Sequence, residues 1–226
     1  EVYMKIVIVG AGKVGYYLTK ELLKKGHKVV VIDTREKAAA QIANDLNIDS
    51  ICGDGSTNQV LSQACDNANV FVALTGKDEV NVIACQLAKK YFSVPLTIAR
   101  VNNPRNNEIV NYFGVDRHYC STNMFVDLVD NEIEYEGMRI VTRLNSTSHI
   151  IVEFKLSEYS SACGKTLAEY KFVKDSKVVI ITTSEGKIIT PQGDTIMNAN
   201  DVILLVCPNS AIESVWKEMV KPKHVS

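Results

Sequence analysis

The chain has 226 residues, of which 46% are hydrophobic and 23% charged, and its formal net charge is -1. That length suits two globular domains, and the charge gives no electrostatic reason to bind nucleic acid or an anionic membrane. No apolar run approaches the roughly 20 residues that a membrane-spanning helix needs, so direct insertion into a bilayer is not expected.

The predicted elements alternate through the first part. Strands are expected at Ile6-Val9, Val29-Ile32, Ser50-Cys52, Val70-Leu74, Leu96-Ala99 and Asp116-Tyr119. Helices are expected between them at Val14-Lys25, Glu36-Leu46, Asn58-Ala64, Glu79-Phe92 and Pro104-Phe113. The strands are continuously apolar, which marks burial on both faces, and strand-helix alternation of this kind is the α/β, Rossmann-type doubly wound parallel sheet. A further helix is expected over Asn123-Glu136, apolar at Phe125, Val126, Leu128, Val129 and Ile133. Packing into the core is the expected fate of that apolar stripe, and solvation that of the opposite, acidic face.

From about Met138 the pattern becomes β-rich, with strands expected at Arg139-Leu144, Ile150-Leu156, Val178-Thr183, Lys187-Thr190 and Val202-Val206. Ser184-Glu185-Gly186-Lys187 reads as a hairpin turn, and a terminal helix over Ser210-Val220 precedes a polar tail. The expected organisation is a nucleotide-binding domain over 1–136 and a smaller α+β domain over 137–226.

The sequence offers one strong chemical motif. Gly10-Ala11-Gly12-Lys13-Val14-Gly15 joins the first strand to the first helix, and Asp33 ends the second strand eighteen residues beyond Gly15. In such a turn Gly10 permits the bend, Gly12 lets backbone approach a pyrophosphate, and Gly15 lets helix pack on strand. The freed N–H groups and the positive helix end attract phosphate. Asp33 can accept both ribose hydroxyls, which favours NAD(H) or an adenine nucleotide over a 2′-phosphate, although Arg35 lies nearby. Lys13 either reaches a phosphate or is a solvated surface lysine. Cys52-Gly53-Asp54-Gly55-Ser56, Thr75-Gly76 and Arg100 fall at the carboxyl ends of the third, fourth and fifth strands, on the same crevice.

Catalytic signatures are lacking. The four histidines (His27, His118, His149 and His224) make poor acid-base candidates, and Gly164-Lys165-Thr166 is no P-loop because Tyr159 replaces its upstream glycine. The six cysteines show no paired spacing for zinc, so reduced and mostly buried thiols of a cytoplasmic protein are expected. Glu1-Val2-Tyr3-Met4 shows no secretion signal, and Met4 is a candidate natural start.

These residues resemble a family, the Trk/Ktr potassium-uptake regulators. The likeness lies in Met4 to Gly15, in Val29-Val30-Val31-Ile32-Asp33-Thr34, and in Cys52-Gly53-Asp54-Gly55-Ser56. It continues through Thr75-Gly76-Lys77-Asp78-Glu79-Val80-Asn81 and Ile98-Ala99-Arg100. The second part, with Gly164-Lys165-Thr166-Leu167, Ile188 to Thr195 and Asn200-Asp201-Val202, is similar to the companion C-terminal domain of the same regulators of potassium conductance (RCK).

The resemblance implies a cytoplasmic, non-catalytic regulatory subunit, forming homodimers and rings at the inner face of the membrane beneath a potassium transporter or channel. Nucleotide in the cleft would gate that partner. It implies phosphates at Gly10, Ala11, Gly12, Lys13 and Val14 and ribose at Asp33, with Gly15 and Thr34 also among the binding residues. Adenine would lie at Asp54 and Gly55, and the remaining contacts at Thr75, Gly76 and Arg100. It also implies that the Asn123-Glu136 helix crosses between partners. ATP-responsive members carry a Pro-Glu pair after the sixth strand. This chain reads Cys120-Ser121-Thr122-Asn123 there, which leaves NAD(H) or another adenine nucleotide open. Cyclic di-AMP between C-terminal domains is a further candidate ligand, with Ile188, Ile189 and Pro191 as its candidate lining. The alternatives are an NAD-dependent oxidoreductase of unknown substrate and a stand-alone nucleotide sensor.

Overall fold

A computed structural model describes residues 3–144 and 148–221; the expected polar tail beyond them lies outside the described residues. The chain divides into two compact units, one running through Phe125 and the other starting at Val126.

The first unit opens with β1 (Lys5–Val9), α1 (Lys13–Lys24), β2 (Lys28–Asp33), α2 (Glu36–Leu46) and β3 (Asp49–Cys52). It continues with α3 (Asn58–Ala64), β4 (Val70–Ala73), α4 (Asp78–Phe92) and β5 (Leu96–Val101). A 3₁₀ turn at Pro104–Asn106, α5 (Asn107–Tyr112) and β6 (Arg117–Cys120) follow. The six strands form one sheet in the order β3-β2-β1-β4-β5-β6, and every neighbouring pair is parallel. Side chains alternate across a strand, so each apolar run feeds two cores. Val7, Val9, Val30, Ile32, Phe71 and Ala73 pack on one face with α3 and α4. Ile6, Ile8, Val29, Val31 and Val72 pack on the other against Leu18, Leu22 and Leu23 of α1 and Ile42 of α2. Both faces being covered explains why these strands read as unbroken hydrophobic runs.

The order reverses between β1 and β4, because the chain crosses from β3 back to the far side of β1. Loops at the carboxyl ends of those two strands must therefore diverge, and a crevice opens between them.

α6 (Ser121–Glu134) carries the chain from the first unit into the second. The helix starts directly on β6, two residues before the expected Asn123, and the Thr122 hydroxyl in its first turn donates to the Asn102 carbonyl at 3.0 Å. Core packing, the expected fate of its apolar stripe, is not what the structure shows. No residue of α6 is buried, and Phe125, Leu128 and Ile133 are 67%, 62% and 77% exposed.

The second unit contains β7 (Met138–Arg143), β8 (His149–Lys155), β9 (Lys177–Thr182), β10 (Ile188–Ile189) and β11 (Val202–Pro208). They form an antiparallel sheet in the order β10-β9-β11-β8-β7. One face of β8 and β11 is buried, placing Ile150, Val152, Phe154, Ile203, Leu205 and Cys207 in a core. The terminal segment supplies Ile212, Val215 and Met219 to that core. It is not one regular helix: a 3₁₀ turn at Asn209–Ala211, α7 (Ile212–Val215) and a π turn at Trp216–Val220 succeed one another. Residues 184–187 do form the hairpin, closed by Thr183 N–H to Lys187 O at 2.9 Å, with Gly186 at φ +84°. β10 stops short of the expected Thr190, next to Pro191, which has no N–H to extend the pairing.

Among the described residues no group of His, Cys, Asp and Glu is placed to hold a metal ion. None of their helices is long and apolar enough to cross a membrane. Four thiols, Cys65, Cys85, Cys120 and Cys207, are buried; Cys52 is exposed. Burial pushes Cys65 and Cys85 up to about 12, so neither is a nucleophile at neutral pH.

Candidate functional site

The crevice is a cleft of about 630 Å³ at the carboxyl ends of β1, β2, β3, β4 and β5. Nine of the sequence-derived candidates line it: Gly10, Gly12, Asp33, Thr34, Asp54, Gly55, Thr75, Gly76 and Arg100. Ala11, Lys13, Val14 and Gly15 do not, yet they build its edge. Their backbone forms the glycine turn and the first turn of α1, whose leading N–H groups lack partners within the helix. The Lys13 and Val14 side chains are exposed outside the cleft lining.

Each glycine of the turn answers to a different neighbour. Gly10 sits at φ +114°, and a Cβ there would stand 3.1 Å from the Leu74 carbonyl carbon. A Cβ on Gly15 would stand 1.9 Å from the Gly10 carbonyl oxygen, since α1 lies directly on the turn. Gly12 is different: a Cβ there would meet nothing within 4 Å, and its φ of -73° suits any residue. Nothing in the protein requires a glycine at that position, which faces the cleft.

Asp33 closes β2 with its carboxylate buried. It accepts from Ala11 N–H at 2.7 Å and Arg35 N–H at 2.9 Å, and from Arg35 Nε and Nη2 at 2.9 Å each. Burial opposes its ionisation, but the Arg35 guanidinium and the two backbone donors outweigh it and hold the carboxyl below its ordinary 3.8. Asp54 is also held low, first by the Ser56 hydroxyl and then by the Ser56 N–H. Gly55 serves packing as well as access: a Cβ on it would come within 2.5 Å of Val9 Cγ1 on β1.

The far wall depends on residues to which the motif reading assigned no part in the site. Asn81 of α4 is fully buried; its Oδ1 accepts from Thr75 N–H at 2.9 Å and from the Thr75 hydroxyl at 2.6 Å. Its Nδ2 donates to the carbonyls of Thr75 and Arg100. Asn102 Nδ2 donates to the same Thr75 carbonyl at 3.1 Å, and Arg100 Nε donates to the Ser121 hydroxyl at 3.2 Å. Lys77 adds a second cation beside Thr75 and Gly76. The available signal was an amide on an otherwise apolar helix face, six residues after Thr75.

Asp78 anchors this wall. It accepts from Asn102 N–H and Nδ2 at 2.7 and 2.8 Å, Asn103 N–H at 3.0 Å and Asn106 Nδ2 at 2.7 Å. Burial opposes its charge, yet these donors outweigh it and depress its ionisation below 3.8. Asp78→Ala leaves four partly buried donors without their acceptor and is expected to cost about 1–3 kcal/mol in urea denaturation at pH 7. A carboxyl depressed in the folded state stabilises above its unfolded value and loses that contribution as pH falls through the folded one. The gap between parent and variant is therefore expected to hold above pH 4 and to narrow below 3.8.

A six-stranded parallel sheet in this order, with a glycine turn at its switch point, defines the Rossmann class. The TrkA-N domain model matches residues 6–121 and the TrkA-C domain model residues 151–219. A Trk system potassium uptake protein TrkA homolog from Pyrococcus horikoshii is 32% identical over 97% of this chain and 99% of its own length. The chain belongs to the TrkA family of Trk potassium uptake proteins. Among solved structures, the GsuK channel aligns over 99% of the chain at TM-score 0.68 and 18% identity. The GsuK channel bound to NAD aligns over 98% at TM-score 0.65 and 17% identity. The chain spans 41% of each of those channel chains, and at such identities the likeness is one of fold.

Proposed function

We propose that this chain is a cytoplasmic, non-catalytic regulatory subunit whose nucleotide occupancy gates a membrane potassium transporter or channel. The observation that carries this reading is a run of hydrogen bonds from the cleft to α6. Thr75 is tied to Asn81 and Asn102; Asn102 O accepts from Thr122, and Arg100 Nε donates to Ser121. Ser121 and Thr122 begin the helix that leads the chain out of the first unit. A ligand that moves Thr75 or Arg100 therefore pulls on that helix, as a switch requires.

In this reading the amides from Gly10 to Gly15 hold phosphates, Asp33 and Thr34 the ribose, and Asp54 and Gly55 the adenine. Thr75, Gly76 and Arg100 hold the rest of the ligand, with Lys77 beside them. NAD(H) is favoured by Asp33 and by the shared fold of a channel solved with NAD; ATP and ADP offer the same phosphate and ribose groups. Cyclic di-AMP is a candidate for the second unit, where Ile188 is 69% exposed on the edge strand β10. The uncovered apolar face of α6 supports a homodimer or ring, since a stripe of that size is rarely left to solvent.

The test has two arms. Calorimetric titration with ATP, ADP, NAD, NADH and cyclic di-AMP is expected to show saturable binding without turnover by a protein that scatters light as a dimer or larger. Deletion of the gene is expected to prevent growth at limiting potassium, and the gene to restore it. Steady NADH oxidation with any substrate, lost on changing Gly12, would establish the oxidoreductase alternative instead.

A further inference from the structure

The ribose subsite is already engaged by the protein's own side chain. A carboxylate offers about four acceptor positions on its two oxygens. At Asp33 all four are taken: Oδ1 by Arg35 N–H and Nε, and Oδ2 by Ala11 N–H and Arg35 Nη2. A ribose that donates its 2′- and 3′-hydroxyls to Asp33 must displace two of these donors.

The two pairs are not equally easy to displace. Ala11 N–H belongs to the glycine turn, whose Gly10 N–H is fixed to the Ile32 carbonyl at 2.8 Å. Arg35 N–H belongs to the residue preceding α2, whose carbonyl accepts from Ala38 and Ala39 N–H at 3.0 Å. The guanidinium stands on a flexible stem, its side chain is 64% exposed, and the described contacts give it no partner besides Asp33. Leaving Asp33, it passes into water, where it is well solvated. The Asp33 side chain, 6% exposed, has no such freedom.

We propose that Arg35 is an internal competitor for the ribose subsite, a cap that the hydroxyls of a bound nucleotide must displace from Asp33. The inference rests on the adenine-nucleotide reading of the cleft and adds what limits its affinity. Two hydroxyls together replace both guanidinium donors and leave the carboxylate fully satisfied. One hydroxyl replaces only one of them, and a 2′-phosphate supplies no donor while adding charge beside Asp33. Arg35 thereby keeps Asp33 paired between ligands and lowers the affinity of each ligand that must displace it, most for a diol that displaces the whole fork.

Calorimetry of the parent and Arg35→Ala with ADP, 2′-deoxy-ADP and NADP⁺ tests this, with thermal unfolding to check that the variant is folded. Removing the competitor is expected to tighten ADP binding by about threefold to thirtyfold, the range for an exposed bidentate ion pair. The gain for 2′-deoxy-ADP is expected to be smaller, because that ligand vacates only part of the fork. ADP binding that is unchanged or weakened in Arg35→Ala would overturn the proposal while leaving the nucleotide site standing. NADP⁺ binding tighter than ADP in the parent and lost in the variant would overturn it too, making Arg35 a clamp for 2′-phosphate. ADP binding to neither protein, with NAD and NADH also failing to bind, would remove the nucleotide reading and this inference together.

Discussion

Gly12→Asp is expected to abolish nucleotide binding, weakening ADP, NAD and NADH by at least about a hundredfold, while the fold is retained. The two halves of that expectation come from different observations. A Cβ at Gly12 meets no protein atom within 4 Å, and the backbone there is extended, with ψ -176°. Gly12 is also the N-cap of α1, a position where aspartate is among the preferred residues. Its carboxylate can accept from the first-turn N–H groups, so the variant's Tm is expected to lie within about 2 °C of the parent's or above it. In the proposed site the same carboxylate would stand where the phosphates bind and would repel them. Calorimetry and a thermal scan on one preparation check both halves. Parent-like affinity in a folded variant would show that the phosphates lie elsewhere.

Gly15→Ala, three residues away, is expected to do the reverse and damage folding first. Its new methyl would stand 1.9 Å from the Gly10 carbonyl oxygen, far inside contact distance, and a backbone atom cannot rotate aside. Gly10 cannot retreat either. It holds φ +114°, its N–H is bonded to Ile32, and it already lies against the Leu74–Thr75 backbone. Relief requires α1 to lift off β1, which would break the packing of Leu18, Leu22 and Leu23 on Ile6, Ile8 and Val31. The expected loss is about 3 kcal/mol or more, which lowers Tm by on the order of 10 °C. A Gly15→Ala protein with parent-like Tm would show that helix and strand are less closely packed than this. Three glycines that look alike in the motif thus differ in what constrains them: Gly10 and Gly15 answer to the protein, and Gly12 is expected to answer to the ligand.

The first unit was legible from the sequence because its signals are local. Strands buried on both faces must be apolar throughout, and Ile6-Val9 and Val29-Ile32 show it. The glycine spacing and Asp33 then located the cleft, since a parallel sheet places ligands at the carboxyl ends of its strands. The start of α6 was less legible, because the helix follows β6 without a break and its first turn is tied to a carbonyl twenty residues back, Thr122 on Asn102. The terminal helix, too, read as one regular run, although the structure divides it among three kinds of turn around Ile212, Val215 and Met219.

The sequence by itself determined the parallel sheet, the glycine turn between β1 and α1, and the acid at the end of β2. Each follows from residue type and spacing along a few consecutive residues. Only the tertiary structure decided which residues complete the site and in what state. Asn81 and Asn102 reach Thr75 from separate elements, and Arg100 and Asp78 are fixed by side chains about twenty or more positions away. Arg35 lies beside Asp33 in the sequence, but its pairing with both carboxylate oxygens is a matter of geometry. The apolar stripe of α6 was visible as a pattern, whereas its exposure depends on what packs against it. Periodicity records which faces are apolar, and only the folded chain shows which of them are covered.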